Sequence, residues 1–473
     1  MGGKQILKME KFELFDFQKE AWQTCMDLIQ SPKPKPSIVC APVAYGKSGV
    51  ISEVARTAGM PCLVLQPSSE LLKQNLEKLR LLGGDATVYS ASLNTKEMSE
   101  LTYATLGSVK NLGKEFKKQG IKLLLIDEAD SGYPPDKMSM FMKFVRDLGP
   151  HCAIGFTATP LYLKNSMEGS RLCMVNRVRP SYFKDIIYTM QISEIIARGR
   201  WTPIKYKAYE FDEKMLILNS TGADFTEESI KQYNKAKGIN NKIYLEIKQL
   251  LSEGMDGILV FCDSVESAIK FSEHIPDSAA VYGDMPKKER ERVLEDFKSG
   301  KLKAVFNYQV LGVGYDNPSL RVVIYGRATN SFRIYYQSVG RGVRKHSGKT
   351  HFQFIDYGGN VARFGEIESV EILNHPVNGW SIFSNKRLIT GVPMGGAPIY
   401  EHELVAKEEL PVPTAIDYTF DWGKWEGSKI QNVPRSYIEY MIYGSGFAMD
   451  TGKMLVFKKV ATKYLEETKL AQL

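Results

Sequence analysis

The chain has 473 residues, of which 43% are hydrophobic and 25% charged, and it carries a net charge of +8. This length predicts two or three domains rather than one core. No stretch approaches the roughly 20 consecutive apolar residues that span a bilayer, and the N-terminus has no signal-peptide core. These features argue against a membrane protein and predict a cytoplasmic one. Scattered cysteines and histidines predict buried thiols and no zinc site.

Two series of short apolar runs alternate with helix-like stretches between residue 13 and about residue 370. Strands alternating with helices indicate parallel sheets with helices on both faces. The fold class is therefore predicted as α/β, with two lobes built on parallel sheets. The first series predicts strands at 37–40, 63–66, 122–126 and 153–156. The second series predicts strands at 258–262, 279–282, 304–307, 322–325 and 352–355.

The predicted domain boundaries follow these series and the turn-rich segments after them. Residues 1–170 are predicted as lobe 1 and residues 171–370 as lobe 2. Within them, the segment 161–235 gives no clear pattern apart from a helix-like 193–199. Gly and Pro clusters predict a linker over 371–415. Residues 416–473 are predicted as a small C-terminal accessory module.

A loop between a predicted strand and a predicted helix is typical of phosphate binding. Such a loop aims backbone N–H groups and a helix N-terminus at phosphates. Lys47 is predicted to reach the β- and γ-phosphates, and the Ser48 hydroxyl is predicted to join a Mg²⁺ shell. The alternative is a surface turn with an incidental lysine. ATP and Mg²⁺ are therefore the expected cofactors. The loop residues are Ala41, Pro42, Val43, Ala44, Tyr45, Gly46, Lys47 and Ser48.

An acidic segment, Asp127-Glu128-Ala129-Asp130, directly follows the apolar run 123–126. This order places carboxylates at the C-terminal edge of a sheet, where α/β proteins bind ligands. Asp127 is predicted to hold Mg²⁺, and Glu128 to orient and deprotonate the attacking water. The alternative is a solvated acidic turn.

A basic run in the second series spells Gln-Ser-Val-Gly-Arg-Gly-Val-Arg over 337–344. If this run is helical, Gln337, Arg341 and Arg344 lie along one face. That face is predicted to meet the γ-phosphate, with one arginine contributing ~10³–10⁵ in rate as an arginine finger. The alternative is an exposed basic helix that binds a nucleic-acid backbone.

Together these segments resemble the motifs of the superfamily 2 helicases, over about residues 12–365. Residues 15–18 resemble the adenine-reading segment, 67–74 motif Ia and 102–105 the strand-contacting segment after it. Further along, 157–160 resemble motif III, 260–262 motif IV and 310–316 motif V. The resemblance implies two RecA-like lobes. It also implies ATP contacts at Gln18, Gly314 and Asp316, and nucleic-acid contacts at Pro67, Ser68, Thr105, Val310 and Gly312.

The spelling of the acidic segment suggests RNA helicases, but two other motifs differ from theirs. Those enzymes usually have Ser-Ala-Thr at motif III and His-Arg at the start of motif VI. This chain has Thr157-Ala158-Thr159 and Tyr336-Gln337. The arginine run, with 356–360 and 363–365 after it, looks like DNA repair and recombination helicases. Among them it looks most like bacterial RadD-type proteins and phage branch-migration helicases. RadD-type proteins have zinc segments that this chain lacks, which favours the phage group.

The resemblance implies an ATP-dependent DNA helicase or translocase that acts on forked, branched or single-stranded DNA in replication, recombination or repair. It is expected to act as a monomer, in the bacterial host cytoplasm if it is phage-encoded. An RNA-directed helicase and the motor subunit of a restriction system are alternatives, although no nuclease segment is evident. A non-hydrolysing phosphate-loop protein is a third, which the acids and arginines oppose.

Two smaller regions also bear on the comparison with this family. The family commonly has Thr-Gly where Val43-Ala44 stand. If Ala44 requires a positive φ, the alanine costs roughly 1 kcal/mol there. The terminal segment 422–438 is similar to a small module found behind some DnaQ-like exonucleases. Its aromatics, Tyr437 among them, and the nearby Tyr440 are expected either to contact DNA or to fill a small core.

Overall fold

The computed structural model describes residues 13–130, 139–166, 169–178, 181–209, 211–311, 315, 317–375, 379–392, 418–420, 425–444, 457–458 and 460–465. The chain divides into two compact units. One comprises residues 1–371 and 389–397, and the other comprises 372–388 and 398–473. Within the described ranges, no helix is long and apolar enough to cross a membrane.

The first sheet of the larger unit has eight strands and carries the phosphate loop. Its strand order is β10-β1-β7-β6-β2-β5-β3-β4, and a separate β8–β9 hairpin follows it in the chain. Pairing is parallel except between β3 and β4, so most strands end at one edge. The strands are β1 (Ser37–Cys40), β2 (Cys62–Gln66), β3 (Thr87–Ser90), β4 (Thr95–Lys96), β5 (Leu101–Thr105), β6 (Leu123–Asp127), β7 (Cys152–Thr157), β8 (Leu161–Ser166), β9 (Gly169–Met174) and β10 (Asp185–Thr189).

Helices pack on this sheet through apolar faces, as the alternating pattern predicts. In α3 (Ser69–Leu81) the Ser68 hydroxyl accepts a hydrogen bond from the Leu71 N–H, which caps the first turn. Leu72, Leu76 and Leu79 of α3 are buried at helical spacing. The other helices are α1 (Asp16–Gln30), α2 (Lys47–Thr57), α4 (Leu106–Val109), α5 (Gly113–Lys118), α6 (Met140–Leu148) and α7 (Ile192–Ala197).

One predicted boundary places a strand in the wrong lobe. The division at residue 170 assigns β10 to lobe 2, but β10 pairs with β1 at the edge of the first sheet. The Met190 N–H also bonds to the Cys40 carbonyl at the end of β1. The strand was missed because an edge strand lacks the uniformly apolar pattern of buried strands: Asp185 is exposed and Ile186 is buried.

The second sheet has six strands, all parallel, in the order β11-β16-β15-β12-β14-β13. The two sheets establish the two RecA-like lobes. The strands are β11 (Ile204–Ala208), β12 (Ile258–Phe261), β13 (Ser278–Val281), β14 (Ala304–Asn307), β15 (Val322–Tyr325) and β16 (Phe352–Asp356). The helices are α8 (Glu227–Lys237), α9 (Ile239–Ser252), α10 (Val265–His274), α11 (Lys287–Lys298), α12 (Phe332–Val339) and α13 (Asn360–Phe364).

The polar stretch 211–226, which has no clear sequence pattern, packs against the second sheet. Asp224 accepts hydrogen bonds from the Thr329 hydroxyl and the Asn330 N–H. Glu213 forms an ion pair of 2.7 Å with Arg363, which also donates to the Thr329 carbonyl. These contacts tie the stretch 211–226 to residues 329–330 and to Arg363 near the end of the second sheet.

The smaller unit includes β18 (Gly379–Ser384) and β19 (Arg387–Leu388), which form a three-stranded sheet with β17 (Val370–His375). Part of the predicted linker 371–415 is therefore folded. A short helix, α14 (Arg435–Glu439), and a π-helix (Tyr440–Gly444) belong to a separate apolar cluster. Tyr437 packs against this cluster, whereas Tyr440 is 56% exposed. Residues 421–424 of the predicted module lie outside the described part of the chain.

Candidate functional site

A cleft of about 680 Å³ lies between the two lobes of the larger unit. Lobe 1 contributes Gln18, residues 43–49, Asp127 and Glu128 to its lining. Lobe 2 contributes Gln337, Arg341 and Arg344. Segments almost 300 residues apart in sequence, which the sequence analysis assigned to one ATP site, therefore line one cleft.

Gln18 is joined to the phosphate loop instead of being free at the end of the cleft. Its side-chain Nε2 donates to the Tyr45 carbonyl at 2.8 Å and to the Gly46 carbonyl at 3.3 Å. Its Oε1 accepts from the Phe15 N–H at 2.9 Å. Gly46 has φ +87°, and a Cβ at this position would lie 2.5 Å from Gln18 Nε2. The loop therefore needs glycine here both for its backbone conformation and for space.

The two functional side chains of the loop lie at the beginning of α2. Lys47 and Ser48 both line the cleft, and Lys47 Nζ donates to the Ala41 carbonyl at 3.4 Å. Ala41 is fully buried, and Pro42 accepts a hydrogen bond from the Tyr45 N–H through its carbonyl. The remaining loop residues present backbone to the cleft at a helix N-terminus, an arrangement suited to phosphate.

Ala44 has φ +60°, which confirms the expectation of a left-handed conformation at this position. Replacing Ala44 by glycine is expected to raise the free energy of unfolding of the larger unit by about 0.5–1 kcal/mol, because relief of strain exceeds the added chain entropy. Urea unfolding checks this. Ala41→Gly is the control: Ala41 has no positive φ, so this change should lower the same free energy. A lower midpoint for Ala44→Gly would contradict the prediction.

Asp127 and Glu128 follow β6 directly, at the C-terminal edge of the first sheet. Asp127 is only 4% exposed, and its Oδ2 accepts from Asn75 Nδ2 at 2.8 Å. Burial raises the pKa of the Asp127 carboxyl group, and Glu128 raises it further, whereas Lys47 and Asn75 act in the opposite direction. Glu128 has φ +46°.

These oxygen donors fit a divalent cation such as Mg²⁺. Glu128 Oε2 is buried and has no hydrogen-bond partner among the described residues. A buried polar atom without a partner is costly unless a ligand or water satisfies it. Ser48 and Asp127 supply the hydroxyl and carboxylate oxygens that Mg²⁺ prefers, and both line the cleft.

Asp130, the last residue of the acidic segment, joins motif III. Its two carboxylate oxygens accept from the hydroxyls of Thr157 at 2.6 Å and Thr159 at 2.7 Å. Burial and the charge of Glu128 raise the pKa of Asp130, against the smaller opposing effects of Arg333 in lobe 2 and of these two hydroxyls. The acidic segment and motif III therefore form one buried polar unit.

Lobe 2 contacts the phosphate loop at Val43. Trp201 Nε1 donates to the Val43 carbonyl at 3.0 Å. A Cβ on Gly340 would lie 2.6 Å from the Val43 side chain. Gly340 thus permits the arginine run to approach the loop.

The arginine run does not form one helical face, so that prediction is wrong. Helix α12 ends at Val339, before both arginines. Beyond it, the Thr202 N–H bonds to the Val343 carbonyl, and Trp201 pairs with Arg344 in an isolated bridge. Two glycines, which disfavour helix, allow this change of direction. Gln337, Arg341 and Arg344 nevertheless line the same cleft, and Arg341 Nη1 donates to the Tyr315 carbonyl at 2.8 Å.

The predicted nucleic-acid contacts of lobe 1 lie together. Gln66, which precedes Pro67, is paired with Thr105 on the adjacent strands β2 and β5. Ser68 caps α3 at the same edge. In lobe 2, Val310 follows β14, and its N–H bonds to the Asn307 side chain. The predicted contacts Gly312, Gly314 and Asp316 lie outside the described residues.

Several residues in or next to the cleft escaped the sequence analysis. Asn75 orients Asp127, and Trp201 contacts the phosphate loop. The Arg200 guanidinium lies 3.5 Å from the Phe15 ring centroid, and both side chains line the cleft. Position in the sequence gave no signal for these contacts, because each joins segments that are distant in the chain.

Two family models match the chain. The DEAD/DEAH box helicase model matches residues 15–165, and the helicase conserved C-terminal domain model matches residues 242–346. Together they match more than half of the chain, and they contain the phosphate loop, the acidic segment and the arginine run.

Curated relatives are similar over about two thirds or more of the chain. IRC3 of Saccharomyces cerevisiae, provisionally named an ATP-dependent helicase, is 24% identical over 73% of this chain and 51% of its own. A 51.5 kDa protein of a Lactococcus phage is 25% identical over 66% of this chain and 64% of its own. DNA 3'-5' translocase XPB2 of Sulfurisphaera tokodaii is 22% identical over 71% of this chain and 80% of its own. The match thus spans about half to two thirds of the first two relatives.

Solved structures agree on the fold. The Type ISP restriction-modification enzyme LlaBIII bound to DNA has a TM-score of 0.53 at 18% identity, over 73% of this chain and 28% of that one. A Vibrio vulnificus fragment, provisionally assigned as the HsdR subunit of a type I restriction enzyme, has a TM-score of 0.54 at 20% identity, over 73% of this chain and 64% of that one. With both family models and the cleft between two RecA-like lobes, the chain belongs to the superfamily 2 helicases.

Proposed function

We propose that this protein is an ATP-driven DNA translocase that remodels forked or branched DNA. The observation that carries the motor part of the proposal is the shared cleft, which is lined by the phosphate loop and the acidic segment of lobe 1 and by the arginine run of lobe 2. A nucleotide bound there would contact both lobes. Hydrolysis would change how strongly the bound nucleotide holds the two lobes together. A ligand that binds one conformation more tightly than another shifts the equilibrium between them in this way.

The ATP step would use residues from each wall of the cleft. Lys47 and the backbone of residues 43–48 would hold the phosphates, and Glu128 would orient and deprotonate the attacking water. Arg341 and Arg344 would stabilise the charge that develops on the γ-phosphate. Ser48 and Asp127 would hold Mg²⁺, which supplies charge neutralisation on the phosphate oxygens when it is bound.

Movement along DNA would follow from opening and closing of the cleft. Ser68 and Thr105 lie at one edge of lobe 1, and Val310 lies after a strand of lobe 2. If each lobe holds the phosphate backbone there, a change in the cleft shifts one grip relative to the other. Contacts of this kind depend on salt and carry little sequence information.

The preference for DNA rests on motifs III and VI. Thr157 bonds to Asp130 through a hydroxyl, and Tyr336 occupies the position where RNA helicases of the related group usually have histidine. XPB2 is named a DNA translocase, but relatives also include an ATP-dependent RNA helicase, DBP3 of Coccidioides immitis, 24% identical over 61% of this chain and 53% of its own.

The test is ATP turnover with single-stranded DNA and with RNA of the same length and sequence. DNA is expected to stimulate turnover more than RNA, and raising the salt concentration is expected to weaken the stimulation. The Lys47→Ala variant provides the background rate. Stronger stimulation by RNA would overturn the DNA assignment and favour the RNA-directed alternative.

A motor subunit of a restriction system is the second candidate. The likeness in fold to LlaBIII and to the Vibrio fragment favours it, and at 18% and 20% identity that likeness concerns the fold alone. Such a motor moves along duplex DNA and displaces a bound obstacle. Displacement of a triplex-forming strand from plain duplex, without conversion of forks, would favour this candidate.

A further inference from the structure

Lys349 is a buried lysine whose hydrogen bonds go to backbone carbonyl groups. Its side chain lies beyond the arginine run, and the residue is only 8% exposed. Nζ donates to the Gly342 carbonyl at 2.5 Å, the Arg344 carbonyl at 3.1 Å and the Pro318 carbonyl at 3.3 Å. Among the residues that the structure describes, no carboxylate lies within ion-pair distance of it.

The three carbonyls belong to two segments that form part of the cleft wall. Gly342 and Arg344 belong to the arginine run, and Pro318 follows motif V and also lines the cleft. An ammonium group has three N–H donors, so one lysine can satisfy all three acceptors. The Thr202 hydroxyl donates to the same Arg344 carbonyl at 3.1 Å. The backbone of Arg344 is thus held from two sides.

Such a hold matters because helix α12 ends before the arginines. Backbone turn bonds from Arg341 to Ser338 and from Gly342 to Val339 continue beyond the helix, but the bonds at residues 343 and 344 come from outside the run. The position of Arg344 therefore depends on contacts such as those of Lys349 and Thr202. An arginine finger contributes only when its guanidinium reaches the developing charge, and misplacement by about 1 Å can cost ~10²-fold in rate.

We infer that Lys349 is a positioning residue for ATP hydrolysis, which fixes the arginine run so that Arg344 reaches the nucleotide. This inference rests on the proposed role of Arg344 in the ATP step. It adds a residue outside every motif that the sequence analysis identified, and it assigns that residue an action through Arg344 instead of a contact with ATP.

The charge of Lys349 provides a separate readout. Burial, together with the positive charges of Arg321 and Arg344, lowers the pKa of Lys349 from 10.5 to about 8. The aromatic ring of Phe352, 5.6 Å from Nζ, is the remaining described neighbour with an electrostatic contact. Above pH 8 the neutral amine has two N–H donors for three carbonyls. ATP turnover is therefore expected to fall as pH rises through about 8.

Loss of turnover in that range would not reflect loss of the fold. The folded pKa is lower than the value of 10.5 in the unfolded chain, so the unfolded chain binds more protons between these pH values. By linkage, the contribution of Lys349 to the free energy of unfolding rises from pH 8 toward 10.5. Activity and stability are thus expected to change in opposite directions with the charge of this residue.

The experiment compares Lys349→Met, Lys349→Arg, Arg344→Ala and the double variant Lys349→Met/Arg344→Ala in DNA-stimulated ATP turnover. Lys349→Met is expected to lower kcat by ~10–100-fold with little change in KM for ATP. In the double variant, kcat is expected to equal that of Arg344→Ala. Both changes remove the same contribution, which is the action of Arg344 on the nucleotide. Lys349→Arg is expected to keep turnover and to move its alkaline limit to higher pH.

Controls separate this inference from a general loss of structure. Lys301→Met removes a 73% exposed lysine from the same lobe and is expected to leave turnover unchanged. If Lys349→Met does not fold, Thr202→Val removes the other donor to the Arg344 carbonyl with little change in volume. It is then expected to lower kcat in wild-type protein and not in the Arg344→Ala background.

Three results would overturn the inference: wild-type kcat in Lys349→Met, a loss that adds to that of Arg344→Ala, or an unchanged alkaline limit in an active Lys349→Arg. If Lys349→Met does not fold, an unchanged kcat in Thr202→Val would also overturn the inference. Failure of the proposed function would give other results. In that case wild-type protein shows no DNA-stimulated turnover, or Arg344→Ala by itself has no effect.

Discussion

Replacing Lys47 by alanine is expected to reduce ATP turnover by roughly 10³-fold or more, to the background of the assay. Lys47 lies at the first turn of α2, lines the cleft and is the cationic side chain of the phosphate loop. Without it, the phosphates lose a charge-assisted contact in the ground state and in the transition state, so KM for ATP is expected to rise as well. Steady-state ATPase kinetics measure both effects.

Binding of DNA by the Lys47 variant is expected to stay within about threefold of wild type, because α2 begins in the cleft and the predicted DNA contacts lie at other strand ends. Fluorescence anisotropy with labelled single-stranded DNA measures this. Lys114→Ala, which removes an exposed lysine of the same lobe, is the control for charge. Turnover that persists in Lys47→Ala would mean that the phosphate loop is misassigned.

Replacing Arg344 by alanine is expected to reduce kcat by ~10³–10⁵-fold, the range for an arginine finger. Arg344 lines the cleft from lobe 2, and its carbonyl is held by Lys349 and Thr202. Because the guanidinium acts mainly on charge that develops in the transition state, the affinity for ATP is expected to change much less than kcat. Single-turnover hydrolysis and equilibrium binding of a fluorescent ATP analogue separate the two quantities.

Arg292→Ala is the matched control for Arg344→Ala, since Arg292 is an exposed arginine of α11 in the same lobe. It is expected to leave kcat unchanged. The prediction for Arg344 fails if kcat falls less than about tenfold, or if KM rises as steeply as kcat falls. Either result would assign Arg344 to ground-state binding, or to the nucleic acid, and would leave the finger role to Arg341.

Much of the fold could be predicted from the sequence because buried parallel strands have short, uniformly apolar runs. Strands β1, β14 and β15 begin and end where the pattern predicts. The edge strand β10 escaped because one side of an edge strand is not covered by another strand, which relaxes the apolar pattern.

The residues of the candidate site were predicted where a local motif names them, and missed where the contact is between distant segments. Lys47 and Asp127 both lie in the cleft as expected. Asn75 bonds to Asp127 across 52 residues, and Trp201 bonds to Val43 across 158 residues. No periodicity in a single sequence reports such pairs, because they depend on how the elements pack.

The helical face assigned to the arginine run failed for a different reason. Spacing places Gln337, Arg341 and Arg344 on one side of any helix, but spacing does not show where the helix ends. The contact between Gly340 and Val43, and the pairing of Trp201 with Arg344, fix that end. Both contacts come from segments outside the run.

Strand displacement distinguishes a motor that remodels branched DNA from an ATPase that leaves DNA unchanged. A synthetic fork, a four-way junction and a plain duplex of equal length, each labelled on one strand, would be incubated with wild-type protein and Lys47→Ala, with ATP and with a non-hydrolysable analogue. Wild-type protein is expected to convert the fork and the junction in an ATP-dependent manner and to convert little plain duplex, and Lys47→Ala is expected to convert none. Normal DNA-stimulated ATP turnover without conversion of either branched substrate would contradict this expectation.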